Sequence, residues 1–193
     1  MSHPKVLDSS KAALLVVDVQ EAFRNVISDF EGLASKCAVV VRGFKALDRP
    51  VFITEQYPKG LGRTATEIRG VMPTDFEYIE KTTFSSCGAG RLEDEFRTAG
   101  AEQIVVCGLE THVCVNQTVH DLLDRGFIVH LLTDCIASRS EHDKKTGLTK
   151  MLSSGAVPSS VEMSLFELMR DARHEKFKEI QALIKGTSVG VST

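Results

Sequence analysis

The sequence predicts a three-layer α/β/α domain: a doubly wound, Rossmann-like fold around a six-stranded, mainly parallel sheet. Two observations lead to this prediction. Short continuous apolar runs, such as residues 12–17, have the pattern of strands that are buried on both faces. Stretches with the three-and-four spacing of an amphipathic helix alternate with these runs, and this alternation is typical of βαβ units.

The first half of the chain predicts three strands, at residues 12–17, 51–53 and 76–80, and two helices, at residues 31–48 and 91–98. The apolar stripe of the longer helix consists of Leu33, Cys37, Val41, Phe44 and Leu47. Residues 57–75 hold three Gly and two Pro without a clean period, which predicts a long irregular loop. A second loop is predicted over residues 81–90.

The second half repeats the alternation more clearly. It predicts strands at residues 103–108, 127–133 and 157–161, and helices at residues 112–124, 141–153, 164–172 and 174–184. Gly126 and Gly155 follow two of these helices as stop signals. We expect one domain over residues 11–185, preceded by an extension (residues 1–10) and followed by a flexible tail (residues 186–193).

Composition narrows the class of protein. The 193 residues are 42% hydrophobic and 25% charged, which is typical of a globular domain. The net charge is −3 with both signs interspersed, so no nucleic-acid partner is predicted. Apolar runs fall well short of the roughly 20 residues that span a bilayer, so no membrane partner is predicted. Because the N-terminal segment lacks the apolar region of a signal peptide, we expect a cytoplasmic protein.

Five cysteines are present, an odd number without a CxxC pair, so free thiols are expected rather than a disulfide framework. Cys37, Cys107 and Cys135 lie on a predicted helix stripe or strand and are interpreted as core residues. Cys87 falls in a predicted loop, with nothing adjacent in sequence to activate it. Cys114 is different, because it begins a predicted helix.

Candidate catalytic residues follow the predicted strands. Ligands of open α/β sheets bind beyond the carboxyl ends of the strands, and Asp18, Lys81 and Cys114 all occur at such ends. A thiol at a helix start faces N–H groups and a dipole that favour the thiolate. Asp18 is a candidate general base, and Lys81 between the two is expected to lower both pKa values. The structural alternatives are a packing thiol, a capping or buried acceptor carboxylate, and a solvated lysine.

Other chemistries find little support. The six His residues show no metal-ligand spacing, and neither a G-x-G-x-x-G nor a Walker A pattern is present. No metal and no cofactor are therefore predicted. His112, two residues before Cys114, remains an alternative activating partner for that thiol.

Three segments together resemble the signature of the isochorismatase-like cysteine hydrolases. They are Leu-Val-Val-Asp-Val-Gln (residues 15–20), Lys-Thr-Thr-Phe (residues 81–84) and Gly-Leu-Glu-Thr-His-Val-Cys-Val-Asn-Gln-Thr (residues 108–118). Their order and spacing match the family, and the C-terminal half is similar to its isochorismatase domain-containing subgroup. The resemblance covers nearly the whole chain.

The resemblance implies a catalytic triad of Asp18, Lys81 and Cys114. It also implies a cis peptide at Leu109–Glu110, which would turn the Glu110 N–H toward an oxyanion site. The implied activity is hydrolysis of a small amide or other C–N bond through a thioester. Residues 54–59 lack the His ligands by which family nicotinamidases hold a metal, so the resemblance implies no metal here.

The resemblance also implies a pocket and an assembly. Candidate pocket walls flank the triad positions: Gln20, Phe23, Gln56, Tyr57, Phe84 and Glu110. Relatives are commonly oligomers, so a homo-oligomer that binds a small-molecule substrate is expected. The alternatives are hydrolysis of the isochorismate vinyl ether, for which Cys114 would be dispensable, a catalytically silent binding or scaffold protein, and a thiol redox sensor.

Overall fold

Buried apolar strands form the centre of the fold. A computed structural model describes residues 3–188, and its six strands form one all-parallel sheet in the order β3-β2-β1-β4-β5-β6. The strands are β1 (Ala12–Val17), β2 (Val51–Gln56), β3 (Ile79–Lys81), β4 (Gln103–Leu109), β5 (Ile128–Ala137) and β6 (Val157–Ser159). The central strands β1 and β4 are buried at every position because helices cover both faces.

Helices form the two outer layers. They are α1 (Phe30–Ala46), α2 (Pro58–Leu61), α3 (Thr66–Arg69), α4 (Leu92–Thr98), α5 (Asn116–Asp124), α6 (Glu141–Ser153), α7 (Val161–Met169) and α8 (Phe177–Ser188). α1, α3, α7 and α8 pack on one face of the sheet, and α4, α5 and α6 pack on the other. The predicted three-layer, doubly wound α/β/α fold is confirmed. Within residues 3–188, no helix combines the length and apolarity needed to cross a membrane.

Several predicted boundaries of strands and helices are wrong, because they depend on contacts between elements distant in the chain. β5 continues four residues past the predicted end at residue 133. Thr133 donates to the Ser159 carbonyl (3.1 Å) and the Asp134 carboxylate accepts from Val161 N–H (3.1 Å), so β6 and α7 satisfy these polar groups. The predicted loop 57–75 contains α2 and α3. α5 begins at Asn116 because residues Thr111–Val115 form a π-helical turn.

Both ends of the described chain differ from the predicted extension and tail. In the extension 1–10, Leu7 is fully buried, and Asp8 N–H donates to the Gln103 side chain at 2.7 Å. At the other end, α8 runs to Ser188, so the predicted tail begins within a helix. Residues 189–193 of that prediction lie outside the described residues.

The strand order reverses between β1 and β4, and a crevice opens at such a switch point. Gly108 near the end of β4 has a φ of 120°, and a Cβ there would lie 2.1 Å from the Val17 carbonyl oxygen. Only glycine permits this approach of the two strands. The residues that follow β1 and β4 are therefore brought to one place.

Candidate active site

Asp18 directly follows β1 and adopts a left-handed backbone conformation with a φ of 51°, which Asp tolerates better than most residues. Its carboxylate is buried and fully engaged. Oδ1 accepts from the Thr54 hydroxyl at 2.8 Å, and Oδ2 accepts from Lys81 Nζ at 2.6 Å. β2 therefore contributes one partner of this carboxylate and β3 the other.

Lys81 ends β3, and its side chain is inaccessible to solvent. Besides Asp18, its ammonium group donates to Gln56 Oε1 at 2.8 Å and to the carbonyls of Thr83 (3.1 Å) and Phe84 (3.0 Å). A buried charge is tolerated when it is paired and hydrogen-bonded, and Lys81 meets both conditions. The cation is thus held in one position beside Asp18.

Cys114 lies in the π-helical turn before α5 and is only 7% exposed. Asp18 is the acidic group with the largest influence on its thiol. Burial, followed by the negative charge of Asp18, raises the pKa of Cys114 to about 12, and Lys81 offsets this only in part. Lys81 thus acts in the predicted direction, but the net shift favours the protonated thiol and not the thiolate that a helix start was expected to favour.

The pKa of Asp18 is also raised, because burial outweighs the stabilising effects of Lys81, Thr54 and the Cys114 thiol on the carboxylate. The expectation that Lys81 lowers both pKa values therefore describes the direction of its own effect and not the net shift. A carboxylate with a raised pKa is a stronger base. Asp18 is therefore suited to accept a proton from the Cys114 thiol.

The cis peptide expected at Leu109–Glu110 is absent, because every peptide bond within residues 3–188 is trans. Glu110 orders the turn in another way. Its carbonyl accepts from Val113 N–H (3.0 Å) and Val115 N–H (3.2 Å). Its carboxylate accepts from the backbone N–H and the guanidinium Nε of Arg139, at 3.1 and 3.0 Å. Glu110 thus links the turn that carries Cys114 to the segment after β5.

The predicted pocket residues divide into positioning residues and exposed aromatics. Gln20 is fully buried, and its amide bonds the backbone of Gln56 and Gly62 at 2.7–3.0 Å. Gln56 in turn holds Lys81, and Phe23 packs against the core on the α1 side. Tyr57 and Phe84 are 54% and 55% exposed, and of this set they are the side chains most available to a ligand.

Thr54 is a site residue that sequence reasoning missed. It lies two positions before Gln56 on β2, so both side chains point to the same face of the strand. The Thr54 hydroxyl also lies 3.3 Å from that of Ser86, whose backbone N–H donates to Thr118 Oγ1 at 2.8 Å. The spacing of two residues between Thr54 and Gln56 in a strand is the sequence feature that could have placed Thr54 on the same face as Gln56.

The remaining candidate groups, a histidine partner for Cys114, a possible metal-binding cluster and a surface groove, do not include the Cys114 thiol. His112 Nδ1 bonds the Ser138 hydroxyl at 3.0 Å, so its identified partner is not the thiol. In residues 3–188, the one group of His, Cys or acidic side chains close enough to hold a metal is Cys37, Cys107 and Cys135. A groove of about 1260 Å³ between α1 and α8 contains none of Asp18, Lys81 and Cys114 in its lining.

Comparison with known proteins identifies relatives of this arrangement. Residues 12–163 match the Isochorismatase domain family. The human isochorismatase domain-containing protein 2 is 39% identical over 183 residues, covering 94% of this chain and 86% of that protein. The *Xenopus laevis* protein of the same name is 39% identical over 179 residues, covering 92% and 85%.

Solved structures include proteins with the same fold. A structure described as the MAR1 ribonuclease of Caenorhabditis elegans has a TM-score of 0.87 and 33% identity, covering 93% of this chain and 92% of that one. The Escherichia coli YcaC protein, described as an octameric hydrolase of unknown specificity, has a TM-score of 0.81 and 21% identity, covering 96% and 98%. The second similarity concerns the fold alone.

Proposed function

Because this chain belongs to the isochorismatase family, we propose that it is a cysteine-dependent hydrolase of a small amide or other non-peptide C–N bond, with a thioester intermediate. One observation carries the proposal: the Asp18 carboxylate is paired with the Lys81 ammonium at 2.6 Å in a buried site, and both charges act on the buried Cys114 thiol. A nucleophile, a base and a fixed positive charge are the parts that acyl transfer requires.

The first step couples proton transfer to attack. A thiol with a pKa of about 12 is not a nucleophile at neutral pH, so its proton moves to Asp18 as the sulfur–carbon bond forms. The carbonyl electron pair moves to oxygen. When the tetrahedral intermediate collapses, the C–N bond breaks and the amine takes the proton from Asp18. Lys81 keeps Asp18 in place throughout and stabilises the carboxylate form.

The second step regenerates the thiol. Water attacks the thioester carbonyl and transfers a proton to Asp18. The carbon–sulfur bond then breaks, the acid product leaves, and Asp18 returns the proton to the Cys114 sulfur. Because Cys114 is 7% exposed, the substrate must bring its carbonyl to the site on a small head group. Amides, ureides and carbamoyl compounds meet this requirement.

Two other activities are distinguished by the assay described below. Hydrolysis of the isochorismate vinyl ether would release pyruvate without needing the thiol. The ribonuclease name of the C. elegans relative raises RNA as a substrate, although the interspersed charges and net charge of −3 do not favour a polyanion. A scaffold protein would turn over none of these compounds.

The test is an ammonia-release screen of small amides, ureides and carbamoyl compounds, with isochorismate and RNA as parallel substrates. We expect Cys114→Ala to reduce turnover of the best amide at least about a thousandfold, because the acyl acceptor is gone. Cys87→Ala is the matched control, since it removes a thiol that lies outside the triad. Full turnover by Cys114→Ala would sink the thioester mechanism.

We further propose that the protein works as a homo-oligomer in the cytoplasm. The octameric YcaC neighbour supports an assembly built on this fold, and five free cysteines suit a reducing compartment. Light scattering of the purified chain tests the first point, since a mass of one chain at micromolar concentration would contradict it.

A further inference from the structure

Three buried thiols from three different elements meet in the core. Cys37 belongs to α1, Cys107 to β4 and Cys135 to β5. The Cys37 sulfur lies 3.4 Å from that of Cys135 and 4.0 Å from that of Cys107, and all three sulfurs lie within 4.8 Å of one another. Each residue is completely inaccessible to solvent. We call this group the thiol cluster.

The thiol cluster is separate from the proposed active site. It belongs to the core between the sheet and the α1 layer, whereas Cys114 packs in the core on the α5 side. The sheet therefore stands between the two. No step of the proposed hydrolysis uses these three cysteines, so their convergence needs its own explanation.

We propose that Cys37, Cys107 and Cys135 form a three-coordinate binding site for one soft d¹⁰ cation of the Cu(I) class. A metal–thiolate bond is about 2.3 Å long, so sulfurs that share a three-coordinate ion lie about 4 Å apart. The spacings of 3.4 and 4.0 Å lie close to this value without any movement of the backbone. Thiolates select Cu(I) over harder ions.

The number of ligands argues for Cu(I) over zinc. Structural zinc takes four protein ligands in a tetrahedron, and among residues 3–188 the group contains three. Cu(I) is satisfied by three sulfurs in a plane. Each Cu–S bond replaces an S–H bond, and the released proton passes to the buffer. No change of oxidation state is involved.

A cavity lies on the same side of the sheet as the cluster, although none of the three cysteines lines it. This cavity of about 230 Å³ lies between α1 and the end of β5, and its lining includes Leu33, Lys36, Asp134 and Ile136, close neighbours of Cys37 and Cys135 in the chain. Three acidic residues, Asp29, Asp134 and Glu141, and two lysines, Lys36 and Lys144, also line it. Because the three thiols are fully buried, the ion would enter as the chain folds or opens locally. The bound ion would tie α1 to the two strands, which is a structural role.

The test supplies Cu(I) as its bicinchoninate complex to the reduced, full-length protein under anaerobic conditions, both in the native state and during refolding from urea. We expect one equivalent of Cu(I) to transfer per chain and the thermal midpoint to rise. Cys87→Ser should bind one equivalent as well. Cys37→Ala and Cys135→Ala should each lose the tight equivalent, with folding checked by circular dichroism.

Three results would overturn the site. The first is no transfer to wild-type protein by either route, which leaves the thiols as packing groups only. The second is one equivalent retained by a folded Cys37→Ala or Cys135→Ala variant. The third needs no variant: X-ray absorption of the loaded wild-type protein should show three sulfur neighbours at about 2.3 Å, and nitrogen or oxygen ligands would contradict the assignment. None of these results depends on hydrolase activity.

Discussion

Two thiol environments occupy opposite faces of the same sheet. On the α5 side, the Cys114 thiol is influenced by the Asp18 carboxylate, which is paired with Lys81. On the α1 side, the thiols of the cluster contact one another. The pKa of each of these thiols is raised, by burial first at Cys114 and by hydrogen bonds between the sulfurs together with burial in the thiol cluster, so both environments favour the protonated thiol. What differs is the presence of a base within reach of the sulfur.

This difference indicates which property makes a buried cysteine useful for acyl transfer. Helix position and a lowered pKa are not needed if a carboxylate can accept the proton during attack. Without a base, the same burial leaves a thiol inert toward carbonyls but still able to bind a soft ion, which brings its own positive charge.

Among the changes that keep Cys114, removal of Lys81 should have the largest effect, because it takes away the ionic partner of the buried Asp18 carboxylate. We expect Lys81→Met to lower the free energy of unfolding by about 3–5 kcal/mol and to reduce turnover at least about a hundredfold. Urea denaturation and the amide assay measure the two effects. Lys11→Met is the matched control, because its partner is the exposed Glu102 and such pairs contribute about 1 kcal/mol or less.

The double variant Asp18→Asn/Lys81→Met separates the two roles of the pair. It removes both charges, so much of the free energy of unfolding lost in Lys81→Met should return. Turnover should stay at least as low as in Lys81→Met, because the base is also gone. If Lys81→Met were as stable as wild type, the carboxylate would not be a buried charge that depends on lysine.

Alkylation of the native protein compares the two environments directly. With a pKa of about 12, Cys114 has roughly a thousandfold less thiolate at pH 8 than free cysteine, so iodoacetamide should modify it about that much more slowly. Cys87, with a pKa of about 11, should react first, and the thiol cluster should not react until the chain unfolds. Peptide mass spectrometry after timed quenching gives each rate.

The control is the same reaction in urea, where all five cysteines should react alike. Labelling of native Cys114 at pH 6 faster than free cysteine would show a resting thiolate and restore the helix-dipole explanation. In that case Asp18 would not need to act as the base for attack.

The comparison also shows how far the sequence alone could lead. β1 and α6 have their predicted bounds because their apolar runs and caps are local features. Asp18, Lys81 and Cys114 could be selected before the structure because strand ends of a parallel sheet meet by topology. The direction of the Cys114 pKa shift could not be predicted from the sequence, because it depends on how deeply packing buries the thiol.

Residues that act through tertiary contacts were harder to find. Thr54 and Gln56 reach Asp18 and Lys81 only because β2 lies between β1 and β3 in one particular register. The thiol cluster likewise joins α1, β4 and β5, which are far apart in the chain. Each of its cysteines, taken alone, was reasonably interpreted as packing. Convergence of side chains is a property of the fold that no single segment displays.

Loss of the Thr54 hydroxyl should have the smallest effect and the most diagnostic pH dependence. Its hydrogen bond stabilises the charged form of Asp18 and so lowers the pKa of that carboxyl. Thr54→Val should therefore raise the pKa further. Because the mechanism needs the carboxylate, the acid limb of kcat/KM should move to higher pH, and turnover should fall about tenfold to a hundredfold near neutral pH.

The rescue variant Thr54→Ser keeps the hydroxyl, so its pH profile should match that of wild type. The measurement is kcat/KM from pH 5 to 9 on the substrate found by the screen. If Thr54 merely supported the fold, Thr54→Val would reduce turnover by one factor at every pH, without moving the acid limb. A uniform loss of that kind would remove Asp18 ionisation from the catalytic step and leave the carboxylate as a structural partner of Lys81.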